Sequence, residues 1–329
     1  MTKKRKMPSF MGPLIAVVLL FVVLSFATPN FLTLTNVMNI LKQSAIYELI
    51  ALGMLLVLLT GGIDISVGPM VALSSCTMGV LLKNGVTNAF ILIAVCLLVG
   101  LACGTVNGLI FTRLKLQHPF VSTMGSRQVF RGLALFITAA APIGGFSAAV
   151  KFAGAATIGD VFPVCFIIVV IVFVIMHIFL TKTALGRNIY SVGGNKEAAR
   201  LSGINVPRTL TFVYSMSGLM CALAAVVSIG RVGTATPLAG ETYDMDAIAS
   251  CVIGGASFNG GKGTVGGTLL GALCITIIRN GLNLLGANTD MQYIVIGLVI
   301  IAAVFVDVVR GNAAEKSRMK TRAQAQGEA

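Results

Sequence analysis

The sequence predicts an all-α protein whose helices cross a membrane about ten times. Of its 329 residues, 56% are hydrophobic and only 11% are charged, and the mean hydropathy is +0.94. This composition is too apolar for a soluble globular protein and belongs to the membrane class. The apolar residues are grouped in runs, most of them close to the length of about 20 residues that lets a helix span a bilayer. We therefore expect one transmembrane domain over residues 1–329.

Ten apolar stretches are placed as spans. By residue number they are 11–27, 38–60, 69–82, 89–111, 119–140, 161–180, 209–230, 246–260, 264–285 and 292–309. The first follows four basic residues but lacks a good cleavage site, so it is expected to be an uncleaved helix. Because 69–82 and 246–260 are short, eight spans with two re-entrant segments is the alternative to ten.

Lysine and arginine are distributed unevenly between alternate loops. With the N-terminus inside, 17 of the 24 Lys and Arg residues lie in predicted inner segments and 3 in outer loops. Because positively charged loops stay in the cytoplasm, both basic tails, 1–10 and 310–329, are predicted to be cytoplasmic. The formal net charge of +13 is dispersed over many loops, which argues against nucleic-acid binding.

Two glycine-rich breaks, at 61–68 and 254–263, interrupt the apolar pattern. Each is either a broken helix that lines a transport pathway or a tight turn that needs glycine. The residues that would line such a pathway are Gly61, Gly62, Asp64, Ser66, Gly68, Gly254, Gly255 and Ser257. Within this set, the favoured role for Asp64 is to cap the helix at 69–82 or a neighbouring helix end.

Two glycine ladders predict close packing between helices. Each places three glycines four residues apart, on one helix face, where another backbone can approach closely. The two sets are Gly100, Gly104 and Gly108, and Gly263, Gly267 and Gly271. We expect them to serve assembly and not chemistry.

The sequence contains no recognisable catalytic or metal-binding motif. The phosphate-binding pattern Gly-x-x-x-x-Gly-Lys-Ser/Thr is also absent, so the chain is expected neither to hydrolyse ATP nor to be an enzyme. One acid, Glu48, lies well inside a predicted span, which is thin support for a carrier driven by ions or protons. The seven cysteines lie in apolar stretches and are expected to act as small apolar side chains.

Other polar residues lie inside predicted spans. Arg127 and Arg131 are four residues apart on one helix face. One interpretation is that they line a polar path. The other is that they snorkel to the membrane surface, or that the span begins later, near Leu133, and this second interpretation is favoured. The amides of Asn107, Asn280 and Asn283 either bond between helices or bind a polyol, and bonding between helices is expected.

The longest polar interruption is the stretch 181–208, which carries five basic residues and one acid. Asn195 is a good N-cap, Glu197 lies where a carboxylate favours the helix dipole, and Gly203 suits the left-handed position after a helix. These signals predict a helix of about two turns over 196–202, which is too short to persist alone in water. We expect the membrane domain to hold it on one side and a soluble partner to dock on the other.

Several motifs stand out along the chain: GRNIYSVGGN at 186–195, EAARLSGI at 197–204, LTGGIDISVG at 59–68, DAIA at 246–249, VIGGAS at 252–257, GGKG at 260–263, NGLNLLG at 280–286 and VFVD at 304–307. Together they resemble the permease subunits of bacterial monosaccharide ABC importers of the ribose, xylose, arabinose and galactose class. The resemblance covers roughly residues 28–309, and the motifs occur in the family's order.

The resemblance implies a permease of the bacterial inner membrane with a fold similar to the vitamin B12-importer type. It implies a second permease copy or close homologue, an ATP-binding cassette subunit that uses the ATP, and a periplasmic sugar-binding protein, with no cofactor in the permease. Coupling to the ATPase would rest on Gly194, Asn195, Glu197, Ala198, Ala199, Arg200 and Gly203. The fuller motif of another importer class continues to Ile-x-Leu-Pro, whereas this chain reads VYSM at 213–216, which favours the sugar variant.

Alternative cargoes stay open at this point. Related permeases carry nucleosides, a furanosyl signal or branched-chain amino acids, and an ion-coupled secondary carrier is a less favoured alternative. The particular sugar is not predicted, because specificity in such importers is expected to reside mostly in the binding protein.

Overall fold

The computed structural model describes residues 11–159, 161–305 and 308–309. The helices are α1 Met11–Ala27, α2 Leu34–Leu59, α3 Val67–Lys83, α4 Ala89–Arg113, α5 Pro119–Thr138, α6 Ala148–Ala155, α7 Val164–Lys182, α8 Ala184–Gly194, α9 Lys196–Leu201, α10 Val206–Val232, α11 Tyr243–Ile253, α12 Val265–Leu284 and α13 Thr289–Phe305. A small antiparallel hairpin of β1 Thr157–Ile158 and β2 Phe162–Pro163 precedes α7. The basic tails predicted to be cytoplasmic lie outside the described residues.

Five helices, α2, α4, α7, α10 and α12, are long and apolar enough to cross a membrane, and α1, α3 and α13 are shorter apolar helices. The 20-residue α5 belongs to neither group. The all-helical architecture agrees with the prediction of a multi-pass membrane protein. Helices α4 and α7 are the most apolar of the five and have the smallest buried shares, 28% and 22%, as expected of helices that face lipid on one side.

The core is built around α2 and α10, and every residue from 48 to 59 of α2 is buried. Helix α4 packs along α10 through the first glycine ladder. A Cβ added at Gly104 would lie 3.0 Å from the Cα of Gly218, and one added at Gly108 would lie 2.7 Å from the Cα of Thr211. These distances leave no room for a side chain, so the two backbones are in direct contact.

The second ladder is divided between a helix and a loop. Gly267 and Gly271 lie on α12, where a Cβ at either position would press on the end of α11 near Gly254. Gly263 does not lie on that helix face, because α12 begins at Val265 and Gly263 has a φ of +154° in the preceding turn. The prediction of three glycines on one helix face is therefore wrong for Gly263.

The predicted span 246–260 is not a continuous helix. Helix α11 has 11 residues and is about 16 Å long, roughly half the hydrocarbon thickness of a bilayer. It is preceded by a non-helical segment, 233–242, that runs along α3. In this segment Ala235 lies against Gly79, near the C-terminal end of α3, whereas Gly240 lies against Gly68, near its N-terminal end. Those two glycines are about 16 Å apart along the helix axis, so α11 begins near the N-terminal end of α3.

Helix α5 begins at Pro119 and continues unbroken through both arginines to Thr138. The expected later start near Leu133 is therefore wrong. Backbone N–H of Phe120 donates to Nδ1 of His118 at the N-cap, and proline at the first helical position has no N–H to satisfy. The arginines are tolerated inside the helix because each has acceptors, as described below.

The amides predicted to bond between helices do so. Asn280 and Asn36 exchange two hydrogen bonds between α12 and α2, of 2.8 and 3.0 Å. The Asn107 amide of α4 donates to Oγ of Ser66 at 2.7 Å, and Oδ1 of Asn283 accepts from the amide of a residue in α13, Gln292.

Candidate functional site

The polar stretch between α7 and α10 folds into two short helices, α8 and α9. Helix α9 confirms the predicted helix, because Oδ1 of Asn195 accepts from the backbone N–H of Ala198 at 2.9 Å and Gly203 has a φ of +81°. Helix α8 was not predicted. Its signal was present in the spacing of Gly186, Ile189 and Val192, which are buried along one face.

Helix α9 is held against the membrane domain by its inner face. Ala199 is buried, and Nζ of Lys196 lies 5.6 Å from the ring centroid of Phe111 at the end of α4. Burial lowers the pKa of the Lys196 ammonium from its usual value. These contacts explain how a helix of six residues persists although it is far too short to be stable alone.

The outer face of α9 is open. Glu197 and Arg200 form an ion pair of 2.5 Å and are both about two-thirds exposed; hydrogen bonds from Arg200 hold the pKa of the Glu197 carboxyl below its usual range. Leu201, next in sequence, is 74% exposed. The outer face of α9 thus presents one apolar side chain beside a charged pair.

The inner end of α8 meets both glycine-rich breaks. Backbone N–H of Gly261 donates to the carbonyl of Leu59 at 2.9 Å. A Cβ added at Gly260 would lie 2.8 Å from both the Gly193 carbonyl oxygen and the Gly61 nitrogen. We call the contact among Gly61, Gly193, Gly260 and Gly261 the glycine junction. The hydroxyl of Tyr190 on α8 also donates to the carbonyl of Gly263 at 2.9 Å.

The first break forms a buried turn between α2 and α3. Oδ1 of Asp64 accepts from the backbone N–H of Ser66 at 3.0 Å and from its hydroxyl at 2.6 Å. Ser66 is the N-cap residue of α3 and makes no side-chain capping bond. Asp64 is not itself the N-cap residue, but its carboxylate accepts the backbone N–H of the residue that is, so it closes the turn at the start of α3. Gly62 lies beside the Tyr214 hydroxyl, and Gly68 lies against Gly240.

The second break is a compact turn between α11 and α12. Gly254 packs on Gly267, and Gly255 has a φ of +89° that favours glycine. Backbone N–H of Ser257 donates to the carbonyl of Lys262 at 3.0 Å, which closes the loop on itself. Of the predicted pathway residues, Gly68 lies in the first turn of α3 and the others lie in the two turns, which the glycine junction brings together.

A layer of charged residues, which the sequence reasoning did not find, surrounds the start of α11. Arg279 of α12 donates to both carboxylate oxygens of Asp246 at 2.8 Å, and Arg127 of α5 pairs with Asp244. Both acids are buried. The sequence did hold a signal for this layer, namely arginines inside two predicted spans with no acidic residue near them in sequence. Charges inside a membrane need partners, so acids elsewhere in the chain could have been sought.

Arg131 satisfies backbone groups instead of an acid. Its guanidinium donates to the carbonyl of Ala239 at 2.9 Å and also to that of Pro237. Both carbonyls belong to the non-helical segment before α11, whose backbone cannot be satisfied by helical hydrogen bonds. Arg127 and Arg131 therefore tie this segment to α5.

The titratable residues of the described chain do not form a metal site. No group of three His, Cys, Asp or Glu side chains converges within the described residues. All seven cysteines are buried as free thiols. Glu48 is buried in α2, and none of the described groups donates to its Oε2.

Comparison with known proteins identifies the family. A family model described as "Branched-chain amino acid transport system / permease component" matches residues 36–304. The chain belongs to this permease family. No solved structure matches the chain significantly.

Three curated relatives of this permease span almost its whole length. The ribose import permease protein RbsC of Bacillus subtilis is 42% identical over 299 residues, which cover 90% of this chain and 92% of the relative. The D-allose transport system permease protein AlsC of Escherichia coli K12 is 42% identical over 284 residues, 86% of each chain. The galactose/methyl galactoside import permease protein MglC of the same strain is 36% identical over 315 residues, 90% of this chain and 93% of the relative. The permease is thus a multi-pass membrane component of a transport system.

Proposed function

We propose that this chain is the permease subunit of an ATP-driven importer that carries a monosaccharide from the periplasm into the cytoplasm. The cargo is inferred from the relatives, which are import or transport permeases for ribose, D-allose and galactose. The ATP is used by a partner, since the sequence has no phosphate-binding loop. The permease itself needs no cofactor in this proposal.

The observation that carries the coupling role is the position of α8 and α9 between an open surface and the two breaks. The outer face of α9 presents Leu201 and the Glu197–Arg200 pair. The inner end of α8 touches the end of α2 and the loop 254–263 at the glycine junction. If the partner moves α9 when the partner binds ATP, α8 moves with it and displaces both breaks together, because closely packed backbones transmit displacement as rigid bodies.

The complete assembly in this proposal contains two permease copies, two ATP-binding cassette subunits on the cytoplasmic side and a periplasmic sugar-binding protein. Both permease termini face the cytoplasm, and the loop 181–208 is the cytoplasmic coupling loop. The charge distribution supports this orientation, with 17 Lys and Arg residues inside and 3 outside. The fold is proposed to be of the vitamin B12-importer type, with α11 and the segment before it together making one of ten passages.

The test is uptake of radiolabelled ribose, allose or galactose into vesicles that contain the permease, its ATPase and its binding protein. Glu197→Lys and Gly203→Val are expected to abolish ATP-dependent uptake while the permease stays inserted, because the first destroys the ion pair on the docking face and the second forces a branched side chain into a left-handed φ. Normal uptake and a normal ATPase complex in both variants would contradict the coupling role. Uptake that needs neither ATP nor the ATPase would identify a secondary carrier.

The family description makes branched-chain amino acids the second candidate cargo. The same vesicles distinguish the two classes by direct uptake. ATP-dependent uptake is expected for the radiolabelled sugar and not for radiolabelled leucine. Uptake of leucine alone would replace the sugar with an amino acid and leave the ATPase-coupling proposal in place.

A further inference from the structure

A cluster of polar side chains is buried where the first glycine-rich break meets α4 and α10. Every member of the cluster is fully buried. The members are Asp64 and Ser66 of the break, Asn107 of α4, and Tyr214 and Ser217 of α10. We call this set the Asp64 cluster.

Hydrogen bonds place the Asn107 amide one side chain away from the Asp64 carboxylate. The Nδ2 of Asn107 donates to Oγ of Ser66 at 2.7 Å, and that hydroxyl donates to Oδ1 of Asp64 at 2.6 Å. Ser66 therefore links the carboxylate to α4.

Helix α10 supplies the other side of the cluster. Tyr214 and Ser217 are three residues apart and so share a helix face. The Ser217 hydroxyl lies near the Asp64 carboxylate without forming a hydrogen bond with it. The Tyr214 hydroxyl lies beside Gly62, where an added Cβ would be 2.8 Å from it.

Four oxygen atoms of the cluster have no hydrogen-bond partner among the described residues. They are Oδ2 of Asp64, Oδ1 of Asn107, and the hydroxyl oxygens of Tyr214 and Ser217. Buried polar atoms in proteins almost always have a partner. The carboxylate and amide oxygens can only accept hydrogen bonds, so they cannot satisfy each other and both favour a positive neighbour.

The charge of Asp64 points the same way. The ion pairs formed within the described part of the chain join other acids, namely Asp244, Asp246 and Glu197, to arginines. A carboxylate that is buried without a cation is costly, since burial removes its hydration and nothing replaces it. A water molecule could satisfy the four oxygens, but it would leave this charge without compensation.

We propose that the Asp64 cluster binds one Na⁺ ion. Carboxylate, amide and hydroxyl oxygens are the ligands that hard cations prefer, whereas the set contains neither the imidazole nor the thiolate that transition metals favour. One carboxylate balances one positive charge, so a monovalent ion fits better than a divalent one. Interrupted membrane helices are also places where Na⁺ is coordinated in other transporters.

The ion in this site is structural. Because the ligands are fully buried, the ion stays with the protein and is not carried with the cargo. It ties the turn between α2 and α3 to α4 and α10, next to Gly61 of the glycine junction. The site depends on the five side chains and not on which solute the permease carries.

Two measurements on the purified full-length permease test the site. Equilibrium binding of ²²Na⁺ is expected to give one ion per chain. The thermal midpoint is expected to be about 2–4 °C higher in NaCl than in N-methyl-D-glucamine chloride of equal ionic strength, because an ion that binds only the folded state stabilises it. Absence of bound ²²Na⁺ in the natural chain overturns the inference and leaves the cluster to a water molecule or a proton.

Variants separate a site from a general salt effect. Asp64→Asn keeps the shape but removes the charge, so it is expected to lose both ²²Na⁺ binding and the shift in midpoint. Ser217→Ala keeps the charge and removes one ligand, so it should weaken ²²Na⁺ binding by on the order of tenfold; this variant decides the question if Asp64→Asn does not fold.

Thr268→Val is the matched control. It removes another buried hydroxyl, on α12, that also has no partner among the described residues, and it is expected to respond to Na⁺ as the natural chain does. A Na⁺ response that is the same in the natural chain, Ser217→Ala and Thr268→Val overturns the assignment of these ligands, and so does an equal loss in the two variants.

Discussion

Replacing Gly193 by alanine tests whether α8 transmits motion through the glycine junction. A Cβ at this position would overlap the carbonyl oxygen of Leu59 and lie 2.6 Å from the nitrogen of Gly261. Those two groups are joined by a hydrogen bond of 2.9 Å. The new methyl group must therefore displace α8 from the Leu59 carbonyl and lengthen this hydrogen bond. Overpacking of this kind costs about 1–3 kcal/mol, and the weakened hydrogen bond adds about 1 kcal/mol.

The adjacent residue supplies the control. A Cβ at Gly194 would meet nothing within 4 Å, and both glycines lie in the last turn of α8, so the gain in helix propensity from alanine is similar at the two positions. The difference between Gly193→Ala and Gly194→Ala therefore isolates the contact with the breaks.

The assay measures ATP-dependent uptake in vesicles, ATP hydrolysis by the same complexes, and the thermal midpoint of the purified permease. Gly193→Ala is expected to lose most uptake and to unfold at a lower temperature, while its ATPase still binds because the outer face of α9 is unchanged. Gly194→Ala is expected to unfold at a temperature no lower than that of the natural chain; a loss of uptake without a loss of stability in this variant would place Gly194 in the contact with the ATPase, as the resemblance implies. Equal uptake and equal thermal midpoints in the two variants would refute the argument that the junction carries the coupling.

Three further predictions concern packing, charge pairing and docking. Gly104→Ala should destabilise the fold by about 1–3 kcal/mol in a denaturant titration, since the methyl group meets the backbone of α10, whereas Gly266→Ala, with nothing within 4 Å, should be neutral. Arg279→Gln should lower the free energy of unfolding by about 3–5 kcal/mol, because it leaves buried Asp246 without the guanidinium that lies 2.8 Å away. Adding Asp246→Asn should restore most of that stability, and a double variant as unstable as Arg279→Gln alone would argue against the pair. Leu201→Asp should leave the thermal midpoint unchanged, as expected for a side chain that is 74% exposed, but should reduce co-purification of the ATPase; undiminished co-purification would remove Leu201 from the docking surface.

Local patterns in the sequence were enough to predict several parts of this protein. The cap at Asn195 and the left-handed Gly203 depend on neighbouring residues only, so the short helix between them was predicted almost to the residue. The first glycine ladder was recognisable because residues four apart share a helix face, and it does lie against another helix. Failures occurred where local signals competed: Arg127 and Arg131 suggested a late helix start because their acceptors, remote in sequence, were unknown.

The sequence by itself determined the membrane class, the positions of most helices and the short helix α9 with its exposed surface, because hydropathy and capping are properties of short stretches. Tertiary structure alone decided what that surface is connected to. The glycine junction joins residues 61, 193 and 260–261, and the α11 acids meet arginines more than 30 residues away, 117 positions apart for Arg127 and 33 for Arg279. Contacts over such separations depend on how the helices pack, and no periodicity within one stretch specifies which distant backbone will fill the space that a glycine leaves.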